Sequence, residues 1–239
     1  MSYGKTEVLI AGSIVSLLVL TACNVDLEPS GPTKTDTRSI DLDKSELARV
    51  EFKMGAGELR VRGGSPKLME GEFSYNRPSL KPEIHYDSAS FRSNLIIEEP
   101  SNTSHGNHKN YRWEVKLNDE KPIDMEVHFG AGEGQLDLGT LNLRSLAVHM
   151  GVGELRVDLR GKPSNSYNVS IQGGVGEVTV YLPEGVGIVA DAKGGIGGVS
   201  ARNLEKRDGE YVNDLYGKAR TTIRLDIKGG IGAINLIGS

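Results

Sequence analysis

The chain has 239 residues, with 28 Lys and Arg against 32 Asp and Glu, a formal charge of −4. That mild acidity argues against nucleic acid or an anionic lipid surface as a partner. Cys23 is the only cysteine, which excludes an internal disulfide and a multi-thiolate zinc site.

Lys5 leads into residues 8–22, a 15-residue, largely apolar stretch running into Leu20-Thr21-Ala22-Cys23. That length suits the h-region of a secretory signal and is too short to span a bilayer. The tetrapeptide resembles a bacterial lipobox, in which small residues admit the signal peptidase and the cysteine thiol accepts a diacylglyceryl group. Residues 1–22 are therefore expected to be removed after Ala22, leaving diacylglyceryl-Cys23 as the membrane anchor. Two acyl chains at about 0.8 kcal/mol per buried CH₂ suffice for stable attachment. Cleavage removes Lys5 and Glu7, so the mature charge stays 27 − 31 = −4. Pro, Gly, Ser and Thr dominate residues 24–35, and residues 23–40 are read as a flexible tether.

Residues 41–239 are read as one all-β repeat domain. Its mark is Gly-x-Gly with a small apolar residue in the middle, beginning at Gly55, Gly130, Gly151, Gly174, Gly195 and Gly230 and ending at Gly57, Gly132, Gly153, Gly176, Gly197 and Gly232. The three central intervals are 21, 23 and 21 residues, a period that signals stacked rungs. Three residues before the first glycine stand Phe52, Val127, Val148, Ile171, Ala192 and Ile227. Five before it stand Val50, Met125, Leu146, Val169, Ala190 and Leu225. Polar residues fill most of the positions between, the period-two pattern of a half-buried strand.

The residue inside each tripeptide (Ala56, Ala131, Val152, Val175, Ile196, Ile231) extends this apolar set. Four residues after the first glycine the apolar pattern resumes on the opposite parity, with Leu59, Leu155, Val178, Val199 and Ile234, Gly134 being the exception. This phase slip predicts a corner where a residue takes φ > 0 or where backbones approach closely. Each rung is strand, Gly corner, strand, and successive rungs stack in parallel about 4.8 Å apart as a β-solenoid-like stack.

Two insertions interrupt the period. Between Gly55 and Gly130 lie 54 residues more than one rung, and residues 64–122 carry alternating runs at 68–75, 83–86, 94–97 and 111–117, the last holding Trp113. These predict an antiparallel meander. The second insertion, 205–218, is a charged loop before the last rung.

On these motifs the chain resembles the toast-rack family of bacterial envelope proteins, related to the C-terminal domain of LiaF-type cell-wall stress regulators and to adhesin-like proteins. The residues that carry the likeness are Phe52-Lys53-Met54-Gly55-Ala56-Gly57-Glu58-Leu59, Leu68-Met69-Glu70-Gly71-Glu72-Phe73-Ser74-Tyr75-Asn76, Lys81-Pro82-Glu83-Ile84, Trp113 and the downstream Gly-x-Gly rungs. The resemblance implies an extracytoplasmic all-β domain with no catalytic residues to carry over.

Other constellations point to less. Gly173-Gly174-Val175-Gly176 opens like a calcium-binding β-roll repeat, but the aspartate that such a repeat needs is replaced by Val178, Val199 and Ile234. No copy reads Gly-x-Gly-x-x-Gly before a helix, so no dinucleotide is expected. Glu58, Glu133, Glu154 and Glu177 form a column beside Arg60 and Arg156, read as a solvated, partly paired edge with a weak cation or glycan edge as the alternative. His128 and His149 occupy equivalent positions in consecutive rungs, about 5 Å apart, and are read as a structural surface pair with a zinc or pH-sensing pair as the alternative. His105 and His108 are read as loop residues.

The sequence thus describes a non-enzymatic, lipid-anchored protein outside the cytoplasm, on the cell membrane or on the outer membrane of a diderm. It needs no cofactor and no metal. Its rigid β surface meets an envelope protein or cell-wall polymer, in envelope-stress sensing or regulation. A surface adhesin or scaffold is the alternative, and a polysaccharide-acting β-helix enzyme the third.

Overall fold

In the computed structural model, which describes residues 31–101 and 110–239, the alternating segments form fifteen strands and no α-helix. In chain order they are β1 (Lys34–Ile40), β2 (Leu47–Arg62), β3 (Met69–Tyr75), β4 (Glu83–Ser88), β5 (Arg92–Glu98), β6 (Arg112–Leu117), β7 (Ile123–Asp137), β8 (Leu143–Asp158) and β9 (Tyr167–Tyr181). There follow β10 (Gly187–Ile196), β11 (Val199–Arg202), β12 (Glu205–Arg207), β13 (Glu210–Val212), β14 (Thr222–Ile231) and β15 (Ile234–Ile237). No helix among the described residues is long and apolar enough to cross a membrane.

The long strands β2, β7, β8 and β9 pair in parallel, in that order and in register through the glycines, with Phe52 opposite Val127, Val127 opposite Val148 and Val148 opposite Ile171. Each is bent at its Gly-x-Gly, so the sheet has two arms. Along β8, Met150 is buried, Gly151 to Glu154 face outward, and Leu155 is buried again. The four-residue apex consumes the parity change, and both arms turn their apolar sides inward. One level of the first arm holds Phe52, Val127, Val148, Ile171 and Ile227, all at most 1% exposed. Burying each such side chain contributes about 1.5–3 kcal/mol. Leu138, Leu159 and Leu182 add a further buried column on the second arm.

The order of the last two rungs differs from chain order. β14 lies between β9 and β10, and β15 between β9 and β11, all in parallel. The chain makes β10 and β11 first and turns through the β12–β13 hairpin, which pairs antiparallel with β10 at Val189 and Ala190. It then returns to fill the vacant position against β9. The segment 205–218, read as a charged loop, therefore covers an otherwise open strand edge, a standard way of blocking edge-to-edge association.

The 64–122 insertion is not one meander. β5 pairs in parallel with the first half of β2 and β6 in parallel with its second half, placing Ile97 opposite Phe52 and Trp113 opposite Leu59. Together β5 and β6 make a further rung without a Gly-x-Gly between its two halves. The antiparallel pairs are β4 on β5 and β3 on β6. Trp113, fully buried, meets Phe73 and Tyr111 edge to face at 5.9 and 5.8 Å. At the N-terminal side the tether ends sooner than residue 40, because β1 pairs antiparallel with β3 from Lys34 opposite Tyr75 to Ile40 opposite Met69. Backbone pairing along its length, with Ile40 packed against the core at its end, holds this otherwise polar strand.

Candidate binding surface at the glycine corner

The second glycines, Gly57, Gly132, Gly153, Gly176, Gly197 and Gly232, have φ between +126° and +139°. A β-carbon at Gly153 or Gly176 would also overlap the carbonyl oxygen of the matching glycine in the rung beneath. The first glycines sit almost as close: Gly130 on Gly55, Gly151 on Gly130, Gly174 on Gly151, Gly230 on Gly174 and Gly195 on Gly230. Gly55 instead receives the Glu99 carboxylate, which accepts its backbone N–H at 2.7 Å.

With glycine on both sides, the middle residue of each tripeptide becomes the apex of the bend. The expected inward apolar column is therefore an outward ridge, ordered Ala56, Ala131, Val152, Val175, Ile231, Ile196 across the stack. Val152, Val175, Ile231 and Ile196 are 53, 44, 52 and 71% exposed. A contiguous line of exposed aliphatic side chains is the kind of surface that marks protein association.

Beside the ridge, next to the end of β5, lies an open depression of about 950 Å³ whose rim includes Glu51, Lys53, Glu99, Phe129, His128 and His149. His128 and His149 stand opposite each other on β7 and β8, their rings stacked at 5.0 Å and 10° apart. His128 Nε2 lies 2.8 Å from Glu126 Oε1 and 3.8 Å from Glu51 Oε1. Arg49 donates to Glu126 at 2.7 Å. Burial opposes ionisation of Glu126, but the hydrogen bonds from His128 and Arg49 outweigh it and hold the carboxyl below its usual range. Lys53 reaches Glu51 at 3.2 Å and Glu98 at 3.5 Å, and the hydrogen bond to Glu51 raises its ammonium above the ordinary lysine value. His85 continues the network, 3.2 Å from Glu98.

The glutamate column forms a ladder on the other arm, Glu58 opposite Glu133, Glu133 opposite Glu154 and Glu154 opposite Glu177. Glu58 pairs with Arg60 and with Arg112. No ion pair joins Arg156 to Glu154 among the described residues, and Glu177 instead accepts a hydrogen bond from the Asn235 side-chain amide at 2.7 Å. Cys23 and Ala22 lie outside the described residues, as do His105 and His108.

Sequence reasoning placed the histidines together but passed over the acids around them. The signal for Glu126 was its spacing, two residues before His128 on the same strand face, with Glu51 at the matching offset one rung earlier. Glu98 and Glu99 carried no such signal, because their rung lacks the glycines that set the register.

Residues 29–181 match the family described as the N-terminal domain of toast_rack, DUF2154. The structure of a candidate cell adhesion protein from Clostridium sporogenes ATCC 15579 is 32% identical, with a TM-score of 0.81, covering 87% of this chain and all of that one. A candidate adhesin from Bacteroides fragilis NCTC 9343 is 14% identical, covering 88% of this chain and all of its own, with a TM-score of 0.30. No curated protein matches the sequence.

Proposed function

Because the chain belongs to the toast-rack family, we propose that it acts at the bacterial envelope as a non-enzymatic, lipid-anchored binding protein whose rigid β stack presents the corner ridge to another envelope protein. The ridge is the observation that carries this reading. Val152, Val175, Ile231 and Ile196 expose aliphatic surface in one line, on a backbone whose glycine contacts leave little room to move. Aliphatic side chains offer a sugar neither hydrogen bonds nor a flat aromatic face, so a protein partner is favoured over a cell-wall polymer. The adhesion description of the Clostridium sporogenes protein supports an extracytoplasmic setting. Envelope-stress sensing or regulation is the finer role, with ridge occupancy as the signal; a surface adhesin is the second reading, favoured by that same description.

A photo-crosslinking side chain at Val175, introduced in intact cells, should give a conjugate of one defined mass. The same group at Arg144, exposed near the far end of β8, should give none. Absence of a ridge conjugate, or equal conjugates from both positions, contradicts the proposal. Val175→Glu should block the envelope-stress response if the protein is a regulator, and only cell attachment if it is an adhesin.

A further inference from the structure

The cleft beside the ridge holds a cluster that partner binding does not use. We propose that Glu126, His128 and His149 form a binding site for a borderline transition dication, with zinc as the representative ion. One ligating atom from each residue lies within 4.8 Å of the other two. The parallel register of β7 and β8 holds the two imidazoles face to face at 5.0 Å, so the two side chains are neighbours before any ion arrives. Glu126 is oriented by Arg49 at 2.7 Å and reaches His128 Nε2 at 2.8 Å. Glu51 Oε1, 3.8 Å from the same nitrogen, or a water completes four ligands.

Metal–ligand bonds of about 2.0–2.1 Å require donors roughly 3.3 Å apart in a tetrahedron. Reaching that separation requires the two imidazoles to turn toward one another, which the open side of the depression that both line leaves room for. The local charge favours a cation, since Glu51, Glu98, Glu99 and Glu126 outnumber Arg49 and Lys53 by two. Two imidazole nitrogens with a carboxylate suit zinc, whereas calcium and magnesium take oxygen ligands. The neighbouring group of Glu83, His85 and Glu98 offers a single nitrogen and is more exposed, which makes it the weaker of the two clusters.

The site is independent of the ridge, so its failure leaves the partner-binding proposal untouched. The test is calorimetric titration of zinc, and separately of calcium, into the mature protein purified from membranes in detergent. Wild type should bind one zinc and no calcium. His149→Gln should weaken zinc at least tenfold, and so should His128→Gln, while His85→Gln should leave it unchanged. Glutamine is compatible with this column, because Gln172 already occupies it in the next rung; coincident unfolding curves for His149→Gln and wild type check that the variant folds. Cobalt(II) should report the same site by tetrahedral ligand-field absorption that His149→Gln loses. No saturable zinc binding, affinity unchanged in His149→Gln, or loss confined to His85→Gln overturns the assignment.

Discussion

Lys121 Nζ lies 2.9 Å from Asp43 Oδ1, and the same ammonium donates to the carbonyl of Ser45, pinning the chain ahead of β2 to the turn before β7. The lysine side chain is 7% exposed and the aspartate 17%. Burial opposes ionisation of Asp43, but hydrogen bonds from Ser45 and Lys121 prevail and hold its carboxyl far below the usual range. A depressed pKa stabilises the fold above the unfolded value of 3.8, and that contribution is lost as pH falls below it toward the folded value. Asp43→Asn leaves a buried ammonium uncompensated and should cost about 3–5 kcal/mol at neutral pH. Denaturant unfolding should show the gap between variant and wild type narrowing below about pH 3.8, and a gap constant with pH would contradict the assignment.

The strand order places Ser170 opposite Asp226 and Asp226 opposite Asp191. Adjacent strands about 4.8 Å apart fall within disulfide reach, and strands twice as far apart do not. In a Cys23→Ser background, Ser170→Cys with Asp226→Cys should oxidise to an intramolecular disulfide, and Ser170→Cys with Asp191→Cys should not. The reverse result would restore simple chain order to the stack.

Calcium should leave thermal stability unchanged. The positions where a β-roll repeat holds aspartate carry Val178 and Ile234, both buried in the core. A calcium site saturated at 100 times its Kd would add about 2.7 kcal/mol, so a rise of several degrees in Tm that chelator reverses would refute this view of the turns.

The lipobox-like Leu20-Thr21-Ala22-Cys23 predicts membrane attachment that survives a high-salt wash and yields to detergent. Cys23→Ser should release the protein from that fraction. Wild-type protein washed off by salt alone would contradict lipid anchoring.

The arms of each rung were legible because core and solvent positions alternate at a fixed offset from the glycines; that offset also brought His128 against His149. An offset gives register, however, and not neighbour order, so the placement of β14 between β9 and β10 could not be read. The rung made by β5 and β6 was hidden because it lacks the tripeptide, and with it went the acids at Glu98 and Glu99. The ridge was misread for a different reason. Val152 and Ile231 have the composition of a core column, and only the outward apex of the bend tells them apart. β1 escaped notice because its sequence, KTDTRSI, has no apolar face and is held by backbone pairing with β3.

The central claim is that the glycine column builds the stack. Its most direct test is denaturant unfolding of Gly153→Val, Gly176→Val, Glu154→Gln and Glu177→Gln side by side. At both glycines φ is near +135° and the backbone of the adjacent rung occupies the space of a β-carbon, so each valine should cost about 3 kcal/mol or more or prevent folding. The glutamates are exposed, and their substitutions should change stability by less than about 0.5 kcal/mol. Equal, small effects from all four variants would contradict the account.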